Sequence, residues 1–238
     1  MIQGCDTSHW EGEINWANML SKGFRFNYSK ATEGLYYTDP DYKKDIQAAK
    51  AAGLLVGSYH FFRAKDDTLK QINRFCDTIA GMPMDLPPVL DVEEASPAYG
   101  WANYQTAIKL ALTTIEQRTG RKPMVYTSKN FWNYTNNPKW AGEYPLWVAH
   151  YTTGGVPLLP TGWTTWTMWQ WSEAGKDIVN PYDGVDLDYF NGEWSDLLKF
   201  CGREPDVPVV VAPGEPPSVE DRLPGFLKKL QELMDKWM

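Results

Sequence analysis

The residues best suited to chemistry lie in Pro87-Pro88-Val89-Leu90-Asp91-Val92-Glu93-Glu94. The two prolines mark a loop, Val89 and Leu90 open an apolar strand-like run, and carboxylates appear at alternate positions where that run gives out. On a strand, alternation puts Asp91 and Glu93 on one face, roughly 6.5 to 7 Å apart along the backbone. Glu94 falls on the opposite face, as scaffold or a solvated group. An isolated D-x-E is more often a strand end dissolving into an acidic loop, so the reading depends on what else the chain brings beside it. Asp6 and Asp186 end up in comparable places, and Asp186 rather than Asp188 is taken as the member of its pair that points into a cleft. Clustered carboxylates raise one another's proton affinity, so one can stay protonated near neutral pH while its neighbours remain anionic. Cleavage of a glycosidic bond needs that division of labour, an acid at the leaving oxygen and an anion at the sugar ring. A hard cation held by oxygens is the other use. The D-x-D-x-D-G spacing of a calcium loop is absent, so no metal and no cofactor is expected.

The elements that would position these acids alternate along the chain. Strands are expected at Ile2 to Ser8, Phe24 to Lys30, Leu54 to Phe62, the opening stretch, and Pro123 to Thr127. Helices are expected from about Asn15 to Lys22, Pro40 to Ala52, Asp66 to Ala80 and Tyr104 to Thr119, with Gly23, Gly53 and Gly120 as stop signals. Ala31-Thr32-Glu33-Gly34 reads as a loop, and Ser128 to Tyr134 as a short helical turn. The helix from Asp66 carries Leu69, Ile72, Phe75, Cys76 and Ile79 at three- and four-residue spacing. Three closely spaced strands follow, Pro145 to Tyr151, Thr165 to Ser172 and Val185 to Phe190, with no room for long helices between them. Strand and helix in alternation predict an α/β fold with a parallel sheet, and eight strands in this order predict closure into a TIM-like barrel whose last helices are missing or reduced. An open doubly wound sheet would announce a Gly-rich phosphate loop after its first strand, which Gly4-Cys5-Asp6-Thr7 is not. In a barrel the site is built at the C-terminal ends of strands, where Asp6, Asp91, Glu93 and Asp186 are expected.

Composition narrows the partner. The 238 residues carry a net charge of −7, which excludes nucleic acid held by a basic footprint but not a neutral glycan. Aromatics make up 14% of the chain, including 12 Trp and 13 Tyr, and their flat apolar faces suit sugar rings. Tyr59, Trp147 and Trp169 sit in strands near the expected lip and are favoured for sugar contact over Trp101, Trp132 and Trp163. His9, His60 and His150 read as hydrogen-bonded wall residues, and Lys30 with Glu33 as a pair fixing the second loop. Cys5, Cys76 and Cys201 are odd in number without C-x-x-C spacing, hence free thiols. The start Met1-Ile2-Gln3-Gly4-Cys5 has neither a basic nor an apolar leader region, and no segment is long enough to span a bilayer. The expectation is synthesis in the cytoplasm and release by another agent.

Asp6-Thr7-Ser8-His9-Trp10, Lys30-Ala31-Thr32-Glu33-Gly34, Gly57-Ser58-Tyr59-His60-Phe61, Leu90-Asp91-Val92-Glu93, Trp147-Val148-Ala149-His150-Tyr151, Trp169-Gln170-Trp171 and Val185-Asp186-Leu187-Asp188 together resemble glycoside hydrolase family 25. The resemblance covers about residues 1 to 200, within a catalytic barrel taken as residues 1–202. It implies a (β/α)5(β)3 barrel and an N-acetylmuramidase, or cell-wall lysozyme of endolysin type, acting on the β-1,4 bond from N-acetylmuramic acid to N-acetylglucosamine in peptidoglycan. On that reading Glu93 matches the general acid, Asp91 the partner that orients the substrate acetamido group, and Asp6 and Asp186 the flanking carboxylates. Tyr59, Phe61, Trp147, Tyr151, Trp169 and Gln170 would contact sugar. Val89 stands where the D-x-D-x-E of chitinases has its first Asp, which weakens a chitinase-like reading. Direct displacement and substrate assistance both stay open. A catalytically silent glycan-binding barrel is the alternative from another class.

After Gly202 the text changes character. Residues 203–217 form a Pro-rich linker. Residues 218–238 read as an amphipathic helix through Leu223, Phe226, Leu227, Leu230, Leu233, Met234 and Trp237. So short a helix needs a partner for its apolar face, and homo-oligomerisation through it is the expectation.

Overall fold

The computed structural model describes residues 1–94, 100–152, 154–175 and 184–204. The chain divides into two units, Met1–Arg203 and Glu204–Met238; nearly all of the linker and the whole of the helix expected from sequence lie outside the described residues. The first unit is a closed barrel. Its strands are β1 (Ile2–Thr7), β2 (Phe26–Glu33), β4 (Leu55–Phe61), β5 (Val89–Asp91), β6 (Met124–Ser128), β7 (Leu146–Ala149), β8 (Met168–Ser172) and β9 (Asp186–Phe190), while β3 (Tyr37–Thr38) is a short appendage on β2. The sheet runs β1-β9-β8-β7-β6-β5-β4-β2, and pairing of β1 with β2 closes it. Helices α1 (Trp16–Ser21), α2 (Tyr42–Ala51), α3 (Thr68–Ile79), α4 (Trp101–Thr119), α5 (Lys129–Asn133) and α6 (Trp194–Phe200) complete the unit.

Two-residue alternation separates the barrel interior from the layer under the helices. Phe26 and Tyr28, Leu55, Val89, Met124, Trp147, Met168 and Phe190 fill the interior. Their neighbours Val56, Leu90, Val125 and Val148 face outward against Ile46, Ile72, Phe75, Ile108 and Leu112 of the helices. Large rings inside require small partners. A Cβ on Gly4 would meet the Phe26 ring at 2.3 Å, and one on Gly57 would meet the Tyr28 ring at 2.2 Å. The α4 positions Ala107, Ile108, Ala111, Leu112 and Ile115 are all buried. On α3, Ile72, Phe75, Cys76 and Ile79 are buried, but Leu69 is 46% exposed and lies off the packed stripe. Cys5, Cys76 and Cys201 are free thiols.

Four features differ from the sequence reading. β9 is antiparallel to both β1 and β8. It begins at the rim where β8 ends, so no crossover helix is needed between them. The supposed loop at Ala31–Glu33 is strand, carried on by a register shift between Lys30 and Thr32 and by pairing with β3. The second strand begins at Phe26 rather than Phe24. A short helix, α6, follows the last strand, opened by a reciprocal Glu193–Asp196 capping box.

Candidate active site

Polar residues take over the inward positions at the upper end of the barrel. Asp6 of β1, Lys30 of β2, Tyr59 and Phe61 of β4, Asp91 at the end of β5, Tyr126 of β6, Trp147 of β7, Gln170 of β8 and Asp186 of β9 line one cleft of about 220 Å³. Glu93, two residues past Asp91, joins them, as do Thr7 at the end of β1 and Ser8, Trp10 and Glu11 from the turn after it. The parallel strands reach this rim with their C-terminal ends. Asp186 reaches it as the first residue of antiparallel β9, opposite Asp6 in the pairing register.

Gln170 organises one wall. Its amide nitrogen donates to Asp6 Oδ2 at 2.8 Å and to Asp186 Oδ2 at 3.0 Å, while its carbonyl oxygen accepts from Tyr126 Oη at 2.8 Å and Tyr151 Oη at 3.0 Å. All four valences of the amide are used, so its orientation is fixed. Below it, Trp147 Nε1 donates to Asp188 Oδ1 at 2.9 Å. Asp188 is 1% exposed, its Oδ2 has no hydrogen-bond partner among the described residues, and burial raises it well above the usual carboxylate range.

On the opposite wall, Lys30 donates to Glu33 at 2.6 Å and lies over the Phe61 ring. Arg63 bridges Glu33 and Glu94, meeting Glu94 at 2.8 Å. The pairing of Lys30 with Glu33 and the scaffold role of Glu94 are as the spacing suggested. Asp91 is buried, and its Oδ1 has no hydrogen-bond partner among the described residues.

Burial dominates the electrostatics. It raises Asp6 well above the usual carboxylate range, helped by the charges of Asp186 and Asp188 and opposed by the Gln170 hydrogen bond. Burial raises Asp91 likewise, with Glu93 adding to the shift and Lys30 opposing it. Glu93 is raised by burial against the pull of Lys30 and Arg63, and Asp186 is pushed up to about 7, by burial first and then by Glu11, Glu173 and Glu93. A coupled pair such as Asp91 and Glu93 keeps a proton at a pH where isolated carboxyls would have lost it.

The sequence model for Glycosyl hydrolases family 25 matches residues 5–178. The chain belongs to this family. It is 37% identical to "Lysozyme M1" of Streptomyces globisporus, over 85% of this chain and 72% of the relative. To the "N,O-diacetylmuramidase" of Chalaropsis sp. it is 30% identical, over 84% of this chain and 99% of the relative. Among solved structures, the family GH25 lysozyme from Aspergillus fumigatus superposes with a TM-score of 0.76 at 32% identity, over 84% of this chain and 98% of that one.

Within this family 25 barrel the residues singled out from sequence separate into groups. Asp6, Asp91, Glu93, Asp186, Tyr59, Phe61, Trp147 and Gln170 all line the cleft. Tyr151 does not line it, and reaches it only through its hydroxyl on Gln170. Trp169 is a correction. It is 3% exposed, packs against Trp166 and Tyr189, and donates to the His150 carbonyl. Because Gln170 faces inward, its strand neighbour must face the outer layer. Trp147 is more buried still, at 1% exposed, yet it lines the cleft and forms its floor against Tyr28 and Tyr126. Trp132 and Trp163 are core.

No histidine lines the cleft. His9 pairs with Asp39, His60 lies between Thr32 and Gln71, and His150 accepts from the Leu158 amide. Sequence reasoning passed over Trp10, Glu11, Lys30 and Tyr126 as cleft residues. For Tyr126 the signal was available, since it alternates with inward Met124.

Proposed function

We propose that this glycosyl hydrolase is a peptidoglycan muramidase that cleaves the β-1,4 bond from N-acetylmuramic acid to N-acetylglucosamine, with Glu93 as general acid and Asp91 as its charged partner. The observation that carries the assignment is the placement of Glu93, whose proton affinity burial raises, beside buried Asp91, whose Oδ1 lacks a donor among the described residues, inside a carboxylate-lined cleft. A sugar acetamido N–H would supply that missing donor. Asp91 would then orient the acetamido oxygen toward the anomeric carbon while Glu93 protonates the leaving oxygen. Asp6 and Asp186, held by Gln170, line the other wall and set the charge there. Tyr59 and Phe61 supply flat surface for the sugar.

Glu93→Gln tests this directly. It is expected to keep the fold and to lower release of reducing ends from purified wall by roughly a hundred- to ten-thousandfold; full retained activity would overturn the role. Muramic acid at the new reducing ends is the expected product, and glucosamine there would mark the chitinase-like alternative. Fragment release by the wild type separates hydrolysis from silent glycan binding.

The same reading makes the protein an endolysin of phage type, synthesised in the cytoplasm and delivered to the wall by a separate permeabilising protein. Expression in a bacterial host should cause lysis only when such a protein is co-expressed. Residues 1–202 are taken as the catalytic barrel, 203–217 as a linker and 218–238 as an oligomerisation helix.

A further inference from the structure

The cleft holds about 220 Å³, less than the roughly 300 Å³ at the small end of pockets that bury a drug-sized ligand. A glycan strand is a polymer, so most of its length must run outside this volume. Trp10 is placed to meet it. Its side chain lines the cleft, yet the residue is 74% exposed.

The turn that carries Trp10 is held rigidly. Ser8 and Glu11 form a reciprocal capping box around the 3-10 turn His9–Glu11. Beneath it, Asp39 Oδ2 accepts from the His9 amide at 3.1 Å and meets His9 Nδ1 at 2.9 Å, and Tyr37 Oη lies 2.9 Å from the same ring nitrogen. The His9 ring sits 4.3 Å from the Trp10 ring, backing the indole. A large apolar ring fixed in water at the mouth of a site marks a binding surface, because nothing in the fold of the described residues is gained by its exposure.

We propose that Trp10 is a stacking platform for an N-acetylhexosamine ring of the same glycan strand, one that lies outside the cleft, so that it selects polymer over short fragments. This rests on the muramidase reading above. The partner is a sugar face rather than a stem peptide because the platform is continuous with the carboxylate cleft, and a flat indole suits the C–H face of a hexosamine.

The test uses the full-length chain in the Glu93→Gln background, titrated with peptide-free glycan strands from purified wall. Trp10→Ala is expected to weaken binding of long strands roughly three- to tenfold, with little change for a disaccharide, while Trp10→Phe retains most of the affinity. Tyr134→Ala removes an equally exposed ring, 69% accessible, that does not line the cleft; it is expected to bind as the parent does. Unchanged affinity of Trp10→Ala for long strands would overturn the proposal. So would a defect that appears only when stem peptides are present. Absence of fragment release by the wild-type enzyme is a different result, and it would overturn the muramidase reading instead.

Discussion

Asp186 gives the site its clearest pH dependence. Its carboxyl is pushed up to about 7 in the folded barrel, whereas an unfolded aspartate titrates near 3.9. Between those values the native state binds the extra proton, so this group's contribution to stability is complete below about pH 4 and is lost as the pH rises through 7. Asp186→Asn, which cannot ionise, is therefore expected to melt above the wild type at pH 8. The difference should vanish toward pH 4, as thermal denaturation across that range would record. Activity should fall as the pH rises through the raised pKa of Glu93, since the acid must hold its proton. Gln170 acts through its neighbours. Gln170→Leu removes two donors from carboxylates and the acceptor of two tyrosines. Lost hydrogen bonds to charged groups correspond to a roughly ten- to hundredfold fall in kcat, measurable on wall suspensions with circular dichroism as a check on the fold. The four acids were legible at this scale because residue type and strand-end position suffice to find them. Trp169 was misread because an aromatic beside a motif residue looks like site, while the pleat sends it to the other face.

At the scale of elements, the inward side chains of β1, β2 and β4 interlock ring against glycine. Gly57→Ala would press a methyl group against the Tyr28 ring, whose hydroxyl is also tied to the Pro87 carbonyl at 2.9 Å. Overpacking of this kind costs about 1 to 3 kcal/mol, to be read from the midpoint of urea unfolding. Because Pro87 opens the segment that carries Asp91 and Glu93, the same substitution should also lower kcat. Helices α3 and α4 were legible because their apolar stripes keep a period near 3.6 over several turns. The extension of β2 through Glu33 was not, since Lys30-Ala31-Thr32-Glu33 has no clean alternation across its register shift. The direction of β9 was equally hidden, as period two is the same for a strand read either way.

For the molecule as a whole, five of the exposed large apolar residues, Trp10, Tyr36, Tyr151, Val156 and Leu158, stand in segments that follow strand C-terminal ends, whereas Leu69, Leu110 and Trp194 lie on helices and Tyr134 follows one. That distribution suits an extended ligand laid over one face. If residues 218–238 carry self-association, light scattering should give a larger mass for the full chain than for one ending near Gly202; equal monomeric masses would exclude it. The sequence by itself determined the alternation that forces a barrel, the set of strand-end acids, and the family motifs, because each depends on residue type and local spacing. Only the tertiary structure decided how the acids divide. Antiparallel β9 sets Asp186 opposite Asp6, Gln170 ties the two together, and Asp188 drops beneath them to meet Trp147. The side-chain hydrogen bonds among them join residues up to 164 positions apart, and their geometry follows from barrel closure, which no local pattern encodes.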